Sequence, residues 1–182
     1  MNDGPRINLD AGSAIIGVVS DTHLPRFGRS LPPALVRGLT KAGVNAIIHC
    51  GDLTEQLTIE LLTQIAPVFA VAGNNDGKAL RRSLGDRLVI EAGATRIGVV
   101  HGHAGRGKST TERAFNAFAG HHVDAVLFGH SHIPYKAKRD GILLFNPGSP
   151  TDKRLNPAYS YGIVRIDSGV IRASHRFYFT RN

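Results

Sequence analysis

The sequence predicts an α/β domain in which two β-sheets pack face to face with helices outside. Three observations predict it. From Ala14 to Gly73, apolar strand-like runs alternate with amphipathic helical runs, and a β-α-β-α-β order implies parallel strands joined by helical crossovers. The second half switches to short strands separated by Gly-containing turn signals, the pattern of hairpins. Several apolar runs stop abruptly at a carboxylate, amide or imidazole, which places a polar cluster beyond the carboxyl ends of the strands, where open α/β sheets put their ligands.

Taken in order, Ala14 to Ser20 is rich in Ile and Val and reads as the first strand. Leu31-Pro-Pro-Ala-Leu-Val follows, with prolines suited to a first helical turn and Gly43 as the stop. Asn45 to Cys50 is a second buried strand, delivering Asp52 just past Gly51. Thr54 to Ile65 reads as a helix with Leu57, Leu61, Leu62 and Ile65 on one face, Thr54 as its N-cap and Pro67 closing it. Val68 to Gly73 is a third core strand. Arg87 to Val100 reads as two strands around Gly93, and Ser109-Thr-Thr-Glu112 is a capping box opening a helix to about Ala119. Val123 to Gly129 is a strand, Asp140-Gly141 turns the hairpin 135–145, and Asp167-Ser168-Gly169 turns a final hairpin.

A chain of 182 residues, 42% hydrophobic and 20% charged, fits one ordinary globular domain. Residues 1–13 lack the basic-then-apolar layout of a signal peptide and are expected to be a loose extension, with 14–182 as the single domain. No apolar run approaches the roughly 20 residues of a spanning helix, so no membrane partner is expected. A lone cysteine, Cys50, inside a core strand excludes an internal disulfide and is compatible with the cytoplasm. The net charge of +8 is unevenly placed: residues 136–182 carry 9 Lys/Arg against 3 Asp/Glu. Nucleic acid is one partner for such a basic end, but no aromatic-interleaved groove accompanies it, and a solvated outer face is the favoured reading. Exposed hairpin edges invite pairing, so a homo-oligomer is compatible with the sequence.

The polar strand ends need a chemical reason to be together. Asp21-x-His23 and His130-x-His132 each present two donors, while Asp52, Asn74 and His101 arrive singly. Two carboxylates, one amide and four imidazoles are too many for one zinc-like ion, which takes about four ligands, but they suit two ions sharing a carboxylate. Mixed O/N donors without thiolate favour Mn, Fe, Ni, Co or Zn over calcium or a purely oxygen-bound magnesium. Such a centre, after its own carboxylates and a bridging hydroxide, keeps about one positive charge and would attract a phosphodiester monoanion.

Asp-x-His, Gly-Asp, Gly-Asn, His and Gly-His-x-His, in that order and at strand ends, resemble the calcineurin-like metallophosphoesterase superfamily. Gly73-Asn-Asn-Asp76, His101-Gly-His103, Gly129-His-Ser-His132 and Phe145-Asn-Pro-Gly-Ser149 are similar to its compact bacterial and archaeal phosphodiesterase branch, which also contains the retromer scaffold subunit. The resemblance runs from Ile15 to Phe179. It implies a four-layer α-β-β-α sandwich of two mixed sheets, with Asp21, His23, Asp52 and His132 on one metal. Asp52, Asn74, His101 and His130 would hold the other, Asp52 bridging and positioning a metal-bridging hydroxide that attacks phosphorus in a small phosphodiester substrate. Many superfamily members carry a general-acid His where this chain has Asn75, which supplies no proton at neutral pH. His103 or Asp76 is the expected substitute donor or phosphate contact, and Asn75 and Arg154 are expected to touch substrate.

The rival readings are a non-catalytic protein-interaction scaffold, a nuclease, and a nucleotide-binding loop. The last rests on Gly102-x4-Gly107-Lys108-Ser109, read as a chance match because it overlaps His103 and comes late in the chain. His49, His121, His122 and His175 are expected to be structural.

Overall fold

A computed structural model describes residues 6–7 and 12–181. Among the described residues, ten strands form two five-stranded sheets. The first has the order β10-β9-β1-β2-β3, from β1 (Ser13–Val19), β2 (Ala46–His49), β3 (Val68–Ala70), β9 (Tyr159–Asp167) and β10 (Val170–Tyr178). The second has the order β4-β5-β6-β8-β7, from β4 (Arg87–Ala92), β5 (Thr95–Val100), β6 (Ala125–Phe128), β7 (Tyr135–Arg139) and β8 (Ile142–Asn146). β1, β2 and β3 run parallel, as do β5, β6 and β8, and antiparallel hairpins complete the edges.

Apolar alternation decides the layers. Ile16, Val18, Ile48 and Val164 of the first sheet meet Ile97, Val99, Leu127 and Phe145 of the second in one buried core. Val19, Ile47 and Ile163 point the other way, onto Leu35 and Leu39 of α1 (Pro33–Ala42) and Leu62 of α2 (Leu57–Thr63). On the far side Val126, Phe128 and Leu144 receive Ala114 of α4 (Thr110–Asn116), together with Phe118. The result is a four-layer α-β-β-α sandwich. α1 ends where expected, with Gly43 left-handed at φ 62 and its N–H on the Thr40 carbonyl. Asp140-Gly141 and Ser168-Gly169 have positive φ at both central residues, as two-residue hairpin turns require.

Three expectations need correcting. Thr54 does not cap α2: it forms an isolated bridge with Leu24, and the helix starts at Leu57 with no side-chain cap. A helix that periodicity did not reveal, α3 (Lys78–Leu84), follows β3, and it buries no residue, so it has no apolar stripe to read. The N-terminal stretch, of which residues 6, 7, 12 and 13 are described, is tied down at Arg6 and Ile7. Arg6 bridges Glu91, and Ile7, 5% exposed, joins the core while its N–H donates to the Glu91 carbonyl at 2.8 Å. Residues 1–5 and 8–11 lie outside the described residues. No helix among the described residues is long and apolar enough to cross a membrane.

Candidate metal centre

The loops that leave β1, β2, β3, β5 and β6 converge at one end of the sandwich and are stitched to one another by backbone. Asp21 N–H donates to Gly51 O (3.0 Å), His23 N–H to Asp52 O (3.1 Å) and Gly129 N–H to His101 O (3.1 Å). Packing is so close that glycine is obligatory at two crossings. A Cβ on Gly73 would collide with the Asp52 carboxylate, and one on Gly129 with Ser20 and Asp21. Backbone conformation is unusual here. Asp21, His23, Asp52, His130 and His132 all have φ between 47 and 68°, a left-handed region that non-glycine residues seldom occupy and that concentrates at functional loops.

These loops assemble two groups of donor atoms, each within 4.8 Å: Asp21, His23 and His132, and Asp52, His101 and His130. The groups touch. His23 Nε2 lies 3.8 Å from Asp52 Oδ2, and His101 Nε2 lies 3.9 Å from Asp21 Oδ1 and 3.2 Å from Asp52 Oδ2. His132 Nε2 is 3.4 Å from both Asp21 Oδ1 and His23 Nε2. Orientation is set from behind. His101 Nδ1–H donates to Cys50 O at 2.8 Å and His132 Nδ1–H to Asp152 O at 2.7 Å, which turns each Nε2 inward. Asp21 Oδ2 accepts His130 N–H, but Asp21 Oδ1 and His101 Nε2 are buried with no hydrogen-bond partner. Buried polar atoms without partners are costly, and a carboxylate oxygen beside a ring nitrogen is a fit for a cation.

The local electrostatics favour ligand forms. Burial lowers the His23 imidazole against the pull of Asp52 and Asp21, and burial likewise lowers His130 and His103, so these rings stay neutral. Burial alone would raise the Asp52 carboxyl, but His101 and the Asn75 donors outweigh it and hold the group well below the ordinary carboxylate range. At His101 burial is opposed and outweighed by Asp52 and Asp21, so its value rises; a cation there competes with a proton.

The remaining predicted residues are placed differently from one another. Asn74 is exposed at the rim, its carbonyl taken by the Arg81 guanidinium. Asn75 is engaged with Asp52 rather than left for substrate: its N–H donates to Oδ1 and its side-chain amide to Oδ2, both at 2.7 Å. The Asp76 carboxylate accepts from the N–H groups of Asp52 (3.0 Å), Thr54 (2.6 Å) and Gly73 (2.7 Å), so it is a buried staple between two loops. His103 is half-buried beside the rings of His101 and His130, with centroids at 5.4 and 6.2 Å and a buried, unpartnered Nδ1. Arg154 is exposed, its Nε 4.0 Å from Asp152.

Sequence reasoning missed Arg81 and Thr151 as supports, while His49 has the structural role expected of it. Arg81 of α3 also donates to Asp76 O, clamping the 74–76 loop. Ser149 Oγ donates to Asp21 O at 2.8 Å and accepts Asp152 N–H, and Thr151 Oγ1 donates to Thr22 O at 2.7 Å, so the Asn-Pro-Gly-Ser turn holds the Asp21 loop from below. His49 accepts Gly51 N–H on Nδ1 and bonds Thr22 Oγ1 through Nε2. The 102–109 stretch carries an acid where a phosphate cradle needs free donors, because Glu112 accepts Lys108 N–H at 2.6 Å.

Fold and donor set together define a candidate metal-dependent phosphoesterase. The comparisons with known proteins agree. A family model described as the calcineurin-like phosphoesterase superfamily domain matches residues 15–169, and the chain belongs to that superfamily. A probable metallophosphoesterase of Methanocaldococcus jannaschii is 39% identical over 145 residues, covering 79% of this chain and 71% of that protein. A phosphodiesterase of the same archaeon is 27% identical over 147 residues, covering 73% and 82%. Among solved structures, wild-type Vps29 of Entamoeba histolytica complexed with zinc has a TM-score of 0.72 at 23% identity, covering 90% of this chain and 98% of that one. That likeness establishes the fold.

Proposed function

We propose that this chain is a dinuclear-metal-dependent phosphodiesterase. Asp21, His23 and His132 would hold one ion, and His101, His130 and Asn74 the other, with Asp52 shared. The observation that carries the reading is the pair of touching donor groups with Asp21 Oδ1 and His101 Nε2 buried and unpartnered between them. Two divalent cations bound there would supply Lewis acidity to a phosphoryl oxygen and acidify a water for in-line attack. Manganese is the ion we select for the test.

The chain's own residues do the rest. Asp52 is kept ionised by its neighbours, and the Asn75 amides fix its carboxylate plane. Its Oδ2 lies between the two groups, 3.8 Å from His23 Nε2 and 3.2 Å from His101 Nε2, which supports a shared role. The His103 ring lies beside those of His101 and His130 and is assigned to hydrogen-bond the phosphate. Asn75 has no proton to give a departing alkoxide, so diesters with acidic leaving groups should react fastest. The single buried thiol, pushed upward by burial, suits a cytoplasmic setting.

The test is hydrolysis of bis(4-nitrophenyl) phosphate by metal-stripped protein refilled with Mn²⁺, beside Asp52→Asn. Restored activity that falls by about a thousandfold or more in the variant is expected. Two bound ions with no hydrolysis under any divalent metal would overturn the assignment and favour a scaffold.

A further inference from the structure

The basic excess of the C-terminal quarter is not used by the metal centre, and the fold gathers part of it at one place. β7 and β10 are edge strands of different sheets, yet they lie side by side: Lys136 Nζ donates to Ala173 O at 2.8 Å. Between them opens a cavity of about 500 Å³ lined by Lys136, Ala137, Lys138, Leu143, Ile171 and Arg172, with Ala173. Its floor is apolar and continuous with the core, where Leu143 and Ala173 are buried and Ile171 packs against them. Its rim is cationic. Lys138 and Arg172 are exposed and have no carboxylate partner among the described residues. Arg172 is also paired directly across the ladder with Arg165, and like charges placed opposite each other in a sheet are destabilising. Among the described residues no acid forms an ion pair with either arginine.

We propose that this groove binds an extended acidic peptide segment of a partner protein, laid along the edges of β7 and β10. Edge strands offer main-chain donors and acceptors, and among the described residues no backbone–backbone bond outside the two hairpins reaches β7 or β10. An added strand takes the edge groups other than Ala173 O, which Lys136 holds, places alternate apolar side chains on the Leu143–Ile171 floor and brings alternate carboxylates to Lys138 and Arg172. A second copy of this chain is disfavoured there because it would bring Lys and Arg against Lys and Arg. Nucleic acid is disfavoured because the groove lining has no aromatic platform for bases, and an apolar floor has nothing to offer a phosphate backbone.

The experiment titrates the full chain into fluorescein-labelled octapeptides of alternating Glu and Val, alternating Lys and Val, and a single-stranded oligonucleotide. The Glu-Val peptide alone should bind saturably, more weakly as salt rises. Lys138→Glu with Arg172→Glu should weaken it about tenfold or more, whereas Arg37→Glu with Lys41→Glu on α1 should leave it unchanged. Thermal midpoints of both double variants within the wild-type range establish that the fold is intact. Absence of peptide binding, or equal weakening by the α1 pair, overturns the proposal. Groove-dependent binding of the oligonucleotide in preference to the peptide replaces it with the nucleic-acid reading. Phosphodiesterase activity is independent of each of these outcomes.

Discussion

The two donor groups use the same residue types and are built to different standards. Asp21, His23 and His132 are all buried, and Ser149, Thr151 and Asp152 brace them from one continuous turn. In the other group Asp52 and His101 are buried, but His130 is half-exposed and Asn74 lies at the rim. Its supports are a carboxylate staple, Asp76, and an arginine clamp, Arg81, from a helix with no buried side chain. The contrast suggests a division of labour. With metals bound, a closed, braced group would hold its ion tightly, and an open one would leave room for substrate with weaker retention.

The strongest challenge to that contrast is Asp76→Ala. It removes the acceptor of three N–H groups at once, and should cost about 3 kcal/mol or more in thermal or denaturant unfolding. In calorimetric titration with Mn²⁺ it should abolish the weaker of two binding steps and spare the tighter one. Loss of both steps together would mean the groups are one unit. Ser149→Ala attacks the other side. Losing the bonds to Asp21 O and Asp152 N–H should cost about 1–2 kcal/mol and weaken the tighter step about tenfold, leaving the second in place.

His49 gives the smallest and most specific effect, because it joins the Asp21 and Asp52 loops without touching a donor atom. Burial first, then the nearby His101 charge, pushes its value from 6.5 to about 3. The folded state therefore keeps it neutral while the unfolded chain takes up a proton below pH 6.5. Its stabilising contribution is complete above that pH and is lost progressively as pH falls from 6.5 toward 3, at no more than about 1.4 kcal/mol per pH unit. His49→Gln should flatten the decline of urea midpoint between pH 6 and pH 4 relative to wild type. An unchanged slope would show that His49 does not couple the two loops.

Much of this was legible along the chain because its signals are local. Parallel crossovers follow from alternating periodicities, the hairpins from Asp140-Gly141 and Ser168-Gly169, and the polar strand ends from where each apolar run stops. α3 was not legible, since a helix that buries nothing writes no stripe. The stapling role of Asp76 was not legible because a carboxylate near a site looks the same in sequence whether it donates a proton or accepts three N–H groups. Thr54 looked like a cap for a similar reason: its type fits, and only the bridge to Leu24 shows that the chain is doing something else there.

The sequence by itself determined the fold class, the superfamily motifs and the donor types, because periodicity and turn chemistry act over a few residues. The resemblance implied which donors share a group, but only the tertiary structure shows the packing that brings them together. His132 joins His23 from 109 residues away, and it does so because β1 and β6 lie in different sheets whose carboxyl ends meet across one core. The same long-range packing decided that Asn75 serves Asp52 and that two distant edge strands share one basic groove. Contacts between remote segments are set by how buried faces close on one another, and no local pattern in the chain carries that information.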